Sequence, residues 1–198
     1  MANPSFLGTV LPLIQAPMAG VQGHALAAAV CNAGGLGSIP AAMLSLDALR
    51  AELAQLTALT DKPYNVNFFC HTPPAPAPAR DEIWRQALQP YYAELGLSLA
   101  DIVPGPGRAP FSDQVADVVE AFKPPVVSFH FGLPSPQLLA RVKSWGSRVL
   151  GNATTVDEAL WLQAQGVDAI IAQGVEAGGH RGIFLSDDLS TQVGTMAL

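Results

Sequence analysis

Charge is scarce in this chain: of 198 residues only 10 are Lys or Arg and 16 are Asp or Glu, 13% in all, for a net charge of -6 at neutral pH. So small a basic complement offers no patch for a phosphate backbone and gives nucleic-acid binding no support. Cysteine is nearly absent as well. Cys31 and Cys70 lie far apart with no CxxC or Cys/His ligand spacing, so neither a disulfide framework nor a zinc site is indicated, and both read as small buried apolar residues. No apolar stretch approaches the length needed to cross a bilayer, and Met1-Ala2-Asn3-Pro4-Ser5 lacks a basic region leading into an apolar one. The expectation is a cytoplasmic protein with no membrane partner. What is abundant is apolar: 49% of the residues, enough at this length for one sizeable core in a single domain over 1–198.

The chain alternates short apolar runs, glycine or proline turns, and helical patterns rich in alanine and leucine. Strands are expected at 13–18, 36–40, 64–69, 126–131, 148–152 and 169–173, all parallel and joined by right-handed crossovers. Helices are expected at 25–32, 46–56, 81–88, 113–122, 136–145 and 155–165. Thr155-Val156-Asp157-Glu158 fits a capping box, in which the glutamate reaches back to the helix start. After the third strand the pattern breaks into Thr72-Pro73-Pro74-Ala75-Pro76-Ala77-Pro78, which continues neither strand nor helix, and a second breaker follows at Pro104-Gly105-Pro106-Gly107. Residues 70–112 are therefore expected as an insertion over a barrel mouth. About six of the eight units of a (β/α)8 TIM-type barrel are present, with another helix starting at Thr195-Met196-Ala197-Leu198. An open doubly wound α/β sheet competes, but no GxGxxG follows the first strand.

Chemistry is expected where a strand opens into a glycine-rich loop. Asp168-Ala169-Ile170-Ile171-Ala172-Gln173 reads as a buried strand, and Gly174-Val175-Glu176-Ala177-Gly178-Gly179-His180-Arg181-Gly182 follows it. Gly178 and Gly179 let a backbone approach a flat cofactor, and the His180 imidazole can move protons. The plainer reading is a turn with His180 capping the next element. On the fourth strand, alternation places Val126, Ser128 and His130 on one face and Val127, Phe129 and Phe131 on the other. His130 is thus either a ligand inside the barrel or a core histidine bonded to a carbonyl. Asn67 and Gln173 are amides at strand ends, suited to a heteroaromatic edge or to tying neighbouring strands together. His24 and His71 read as structural, Gly34-Gly35-Leu36-Gly37 as a tight turn, and Asp187-Asp188 as a solvated loop with no metal site.

Taken together, Gln15-Ala16-Pro17-Met18-Ala19-Gly20, Asn65-Val66-Asn67-Phe68, Ser128-Phe129-His130-Phe131-Gly132-Leu133-Pro134 and Glu176-Ala177-Gly178-Gly179-His180-Arg181-Gly182 resemble, in order and spacing, the nitronate monooxygenase family, formerly called 2-nitropropane dioxygenases. The resemblance covers nearly the whole chain but only the first half to two-thirds of a family member. The Glu-Ala-Gly-Gly-His element is shared with flavin-dependent enoyl-acyl-carrier-protein reductases; the Ser128 to Pro134 run favours the nitronate enzymes.

That resemblance implies an FMN-dependent oxidoreductase that converts small alkyl nitronates and dioxygen to carbonyl compounds and nitrite without a metal. It implies that Ala16, Pro17 and Met18 line the flavin, that Asn67 and Gln173 hydrogen-bond it, and that Gly178 and Gly179 pass close to it. His180 would be the catalytic base or orienting residue, and His130 would help bind the anionic substrate. A homo-oligomer remains open. The alternatives are an enoyl-acyl-carrier-protein or quinone reductase of the same superfamily, or a non-catalytic fragment. Glycine-rich phosphate loops of the seventh and eighth strands are not found in the sequence, so these 198 residues are expected to bind FMN weakly or not at all.

Overall fold

The structure is a computed structural model that describes residues 6–102 and 108–198; Met1 to Ser5 and the Pro104-Gly105-Pro106-Gly107 breaker lie outside the described residues. Among the described residues five strands form one sheet: β1 Gly37–Pro40, β2 Tyr64–Phe69, β3 Val126–His130, β4 Arg148–Ala153 and β5 Ala169–Ala172. All neighbours are parallel, and their order in the sheet is their order in the chain. A doubly wound sheet reverses direction at a switch point and carries helices on both faces. This sheet does neither.

Helices α1 His24–Asn32, α2 Leu46–Leu59, α4 Asp113–Glu120 and α5 Pro136–Ser144 all pack on one face, sharing a core with the outward residues Ile39, Val66, Phe68, Val127, Phe129 and Val149. Helix α6 Val156–Ala164 covers β4 on the same side, where a Cβ on Gly151 would lie 2.7 Å from a methyl of Leu162. The opposite face holds a smaller cluster of Leu36, Val126 and Leu150, closed by Leu7 and Ala169. One helix-covered face and one inward face, wound singly, make this an α/β fold of the (β/α)8 TIM-barrel type. Close packing of α1 is written in its alanines: Ala27 is fully buried, and a Cβ on Gly37 would fall 2.0 Å from the Ala27 carbonyl oxygen.

The expected strand at 13–18 is only a single bridge, Ile14 to Leu36. The ladder begins normally, with Leu36 N–H donating to Leu13 O and Gln15 N–H to Leu36 O, each at 2.9 Å. It stops because Pro17 has no N–H for Ser38 O; the Gln22 amide reaches that carbonyl at 3.4 Å, and Ser38 N–H turns to the Gln15 side chain at 3.2 Å. The expectation of a buried sixth strand also changes. β5 pairs with β4 alone among the described strands and leaves Ile170 and Ile171 39% and 38% exposed.

Residues 72–102 belong to a separate compact unit. Within it α3 Pro78–Glu94 is longer than expected and runs through Pro90; no residue of this helix is buried, so the carbonyl that Pro90 leaves without a helical partner stands on an exposed helix. Chain 108–112 belongs with the barrel part: Phe111 N–H donates to Phe69 O at 2.8 Å, and its ring packs on Phe68 and Phe129.

Candidate active site

The inward face carries polar side chains in a register that alternation dictates. Asn65 donates to Ser38 Oγ at 3.1 Å, Asn67 to Ser128 Oγ and O at 2.9 and 3.3 Å, and Asn152 to Gln173 Oε1 at 3.4 Å. These amides share the inward face with Leu36, Val126 and Leu150 and bond to serine or amide side chains of neighbouring strands and strand ends. Asn65 Oδ1 is buried without a partner among the described residues.

At the carboxyl ends of β2 and β3 the belt gives way to rings. Phe69 meets His130 at a centroid distance of 5.7 Å and His180 at 5.3 Å, so both histidines edge one phenylalanine. His130 occupies the inward face with Ser128, as alternation requires. Phe131 does not follow the alternation onto the helix-facing side: its φ of 66° turns the chain and brings its ring against His130 at 4.4 Å and His180 at 6.0 Å. His71, read as structural, joins the group through Phe131 at 6.1 Å and Phe69 at 6.3 Å, with a buried Nδ1 that has no partner among the described residues. His24 lies elsewhere, its Nδ1 3.1 Å from Glu52 Oε2.

Desolvation pushes the His130 imidazole down to about 4, so it is neutral near pH 7; the backbone of His180 opposes this shift and the nearby His180 ring adds to it. A neutral ring binds an anion as a hydrogen-bond donor rather than as a charge. His180 itself is exposed, and its loop is held from below. Gln173 donates from Nε2 to His180 O at 3.0 Å and accepts Gly182 N–H on Oε1 at 2.8 Å. A Cβ on Gly182 would stand 2.2 Å from Asn152 Nδ2 and 2.7 Å from His130 Cε1, so only glycine lets the loop close on the strand ends. Asp188 caps the 189–191 turn through Ser190.

Glu158 is the largest omission of sequence reasoning. It is 1% exposed, and Thr155 Oγ1 caps α6 through its N–H at 3.2 Å, but the carboxylate does not reach back to Thr155. One oxygen accepts the N–H and hydroxyl of Thr154 at 2.7 and 2.8 Å; the other accepts Phe184 N–H at 2.6 Å and Leu185 N–H at 3.2 Å. A carboxylate saturated by four donors ties the segment after His180 to the helix. The capping-box spacing marked the residue but not its distant partners.

The remaining sequence candidates are more dispersed. Asn67 is 9% exposed with its amide nitrogen committed to Ser128. Ala16, Pro17 and Met18 run beside β1, where Ala16 O accepts from Gln22 at 2.9 Å and Met18 is half exposed. At Gly178 an added Cβ would meet nothing within 4 Å, and its φ is not one reserved for glycine. Neither its backbone nor its packing within this chain requires a glycine there.

A singly wound parallel wall with two histidines at the carboxyl rim places this chain in the class of α/β barrel proteins that build their sites on βα loops. The sequence profile of the family described as nitronate monooxygenase matches residues 3–198. The chain is 47% identical to a nitronate monooxygenase of Paraburkholderia phytofirmans, over 97% of this chain and 53% of that protein. It is 44% identical to one from Pseudomonas aeruginosa, over 97% and 55% of the respective chains. Among solved structures, a nitroalkane oxidase from Streptomyces ansochromogenes superposes with a TM-score of 0.83 at 40% identity, over 96% of this chain and 54% of that one. FabK from Thermotoga maritima follows with a TM-score of 0.63 at 28% identity, over 90% and 45%. The chain belongs to the nitronate monooxygenase family, and it spans about half the length of the curated relatives it matches. No helix among the described residues is long and apolar enough to cross a membrane.

Proposed function

We propose that the protein carrying this chain oxidises small alkyl nitronates with dioxygen to carbonyl compounds and nitrite, with FMN as its cofactor. The observation that carries this reading is the placement of His130 and His180 on one phenylalanine, Phe69, at 5.7 and 5.3 Å, at the open end of the strands. A proton-handling imidazole, a neutral hydrogen-bond donor and an apolar surface there suit a small anion with an alkyl tail.

The residues present fit a flavin. Gly178 has open space where a Cβ would be, as expected where a flat ring system passes close to the backbone. Asn67 keeps its carbonyl oxygen for a ring N–H while its amide nitrogen holds Ser128. Gln173 donates one Nε2–H to His180 O and accepts from Gly182, which fixes the loop of Gly178 and Gly179, and its second Nε2–H would hydrogen-bond the flavin. Ala16, Pro17 and Met18 would line it from the side of β1. FMN, when bound, supplies the electron-accepting centre at which oxygen is used.

The protein's own groups then position and deprotonate. His130 donates an N–H to a nitro oxygen, where negative charge gathers. His180 takes the α-carbon proton of a neutral nitroalkane onto an imidazole nitrogen, and orients a nitronate that arrives already deprotonated. Phe69 and Phe131 cover the apolar side and exclude water. Anaerobic mixing of the flavin-loaded protein with propyl-2-nitronate is expected to bleach the flavin absorbance, and NADPH is not. Rapid bleaching by NADPH with none by the nitronate would make the protein a reductase instead.

A further inference from the structure

We propose that Phe131 is the specificity-determining wall of the site and sets how long an alkyl chain its nitronate can carry; this rests on the nitronate reading above. Its backbone is the first observation. Among the described non-glycine residues only Lys123 and Phe131 have positive φ, and for a bulky aromatic residue the left-handed region is unfavourable. Such a conformation persists only where its surroundings enforce it, and it clusters at functional sites.

Those surroundings are visible. Gly132 follows with a φ of 86°, and a Cβ placed on it would lie 3.3 Å from the ring of Phe184. Phe184 is itself fixed, by its N–H to Glu158 at 2.6 Å and by its ring on Trp161 at 5.2 Å. The turn after β3 is therefore clamped from the far side, and the clamp holds Phe131 out of the helix-facing core that Val127 and Phe129 enter.

The second observation is where the ring goes. It meets His130 at 4.4 Å, Phe69 at 5.1 Å, His180 at 6.0 Å and His71 at 6.1 Å, touching every ring of the group. A nitronate held through its nitro oxygens by the imidazoles must project its alkyl carbons onto the apolar surface beside them. Phe69 belongs to the strand β2, whereas Phe131 stands on the turn and presents its ring to both histidines. Its bulk fixes the space left for carbons beyond the first few.

The test is the dependence of kcat/KM on chain length, with the nitronates of ethane, butane and hexane and the flavin-loaded protein. Phe131→Leu removes bulk and is expected to raise the hexane-to-ethane ratio about tenfold, the scale on which pockets discriminate methylenes. Phe131→Trp adds bulk and is expected to lower that ratio. Both variants keep a Cβ at the same strained φ, so a role confined to the backbone would leave the ratio unmoved. Equal losses on all three substrates would overturn the proposal, and if the leucine variant fails to accumulate, the tryptophan variant decides it in the same way. A wild-type protein inert toward all three would instead sink the nitronate reading itself.

Discussion

Gln173 holds the main chain of His180 from beneath: its Nε2 donates to His180 O at 3.0 Å while its Oε1 accepts Gly182 N–H at 2.8 Å. One amide thus grips the loop on both sides of the imidazole. Gln173→Leu removes both bonds at a place reached by solvent, so the fold is expected to lose only about 1 kcal/mol in urea unfolding. Catalysis is expected to suffer more, with kcat down roughly 10–100-fold and KM little changed, because a shift of about an ångström in a reacting group is costly. A loss of stability with unaltered kcat would remove the positioning role.

His180→Asn separates base from scaffold. With neutral nitroalkanes the loss of a proton acceptor is expected to lower kcat/KM by about 10²–10⁴-fold. With preformed nitronates, which need no deprotonation, the loss is expected to be far smaller. Equal losses on both substrate forms, in parallel steady-state assays, would mark His180 as an orienting group only.

His130 makes stability depend on pH. Its folded-state value, about 4, lies below the ordinary 6.5, so between these values the unfolded chain binds the extra proton. The contribution is complete above pH 6.5, falls as the pH drops toward 4, and levels off below it, with a total on the order of 3 kcal/mol at most. His130→Asn is expected to reduce the difference between urea midpoints at pH 7.5 and pH 4.5. A difference identical to the wild type would show that the partly buried imidazole contributes nothing.

Gly178→Ala tests the approach of the flavin. A methyl group there has open space, so thermal stability is expected to stay the same or rise by up to about 1 kcal/mol. In the FMN-loaded protein that carries this chain, retention of the flavin through gel filtration, read by its visible absorbance, is expected to fall. Unchanged retention would move the flavin away from this glycine.

Elements whose signal is local were legible in the chain. The β2 bounds, Tyr64–Phe69, coincide with an apolar–polar alternation that holds through Phe68, and α6 begins where Thr155 announces it. The 13–18 segment shows the limit of that logic. Its composition is that of a strand, but Pro17 lacks the N–H that a second rung needs, and only the pairing with β1 exposes the gap. The glycine-histidine loop after an apolar strand suggested a candidate site, but the same residues also read as a turn, and spacing alone does not choose between the two.

The sequence by itself determined the alternation of strands and helices, the inward face of Ser128 and His130, and the motifs that mark the nitronate monooxygenase family, since all of these depend on spacing along the chain. Tertiary structure alone decided that Phe131 leaves its strand's alternation to meet both His130 and His180, that His71 joins them, and that Glu158 binds Phe184 and Leu185 as well as Thr154 beside its own helix start. Each of these depends on contacts between residues far apart in the chain, on a clamped turn or a buried carboxylate seeking donors. A local pattern carries no record of which distant groups will satisfy them.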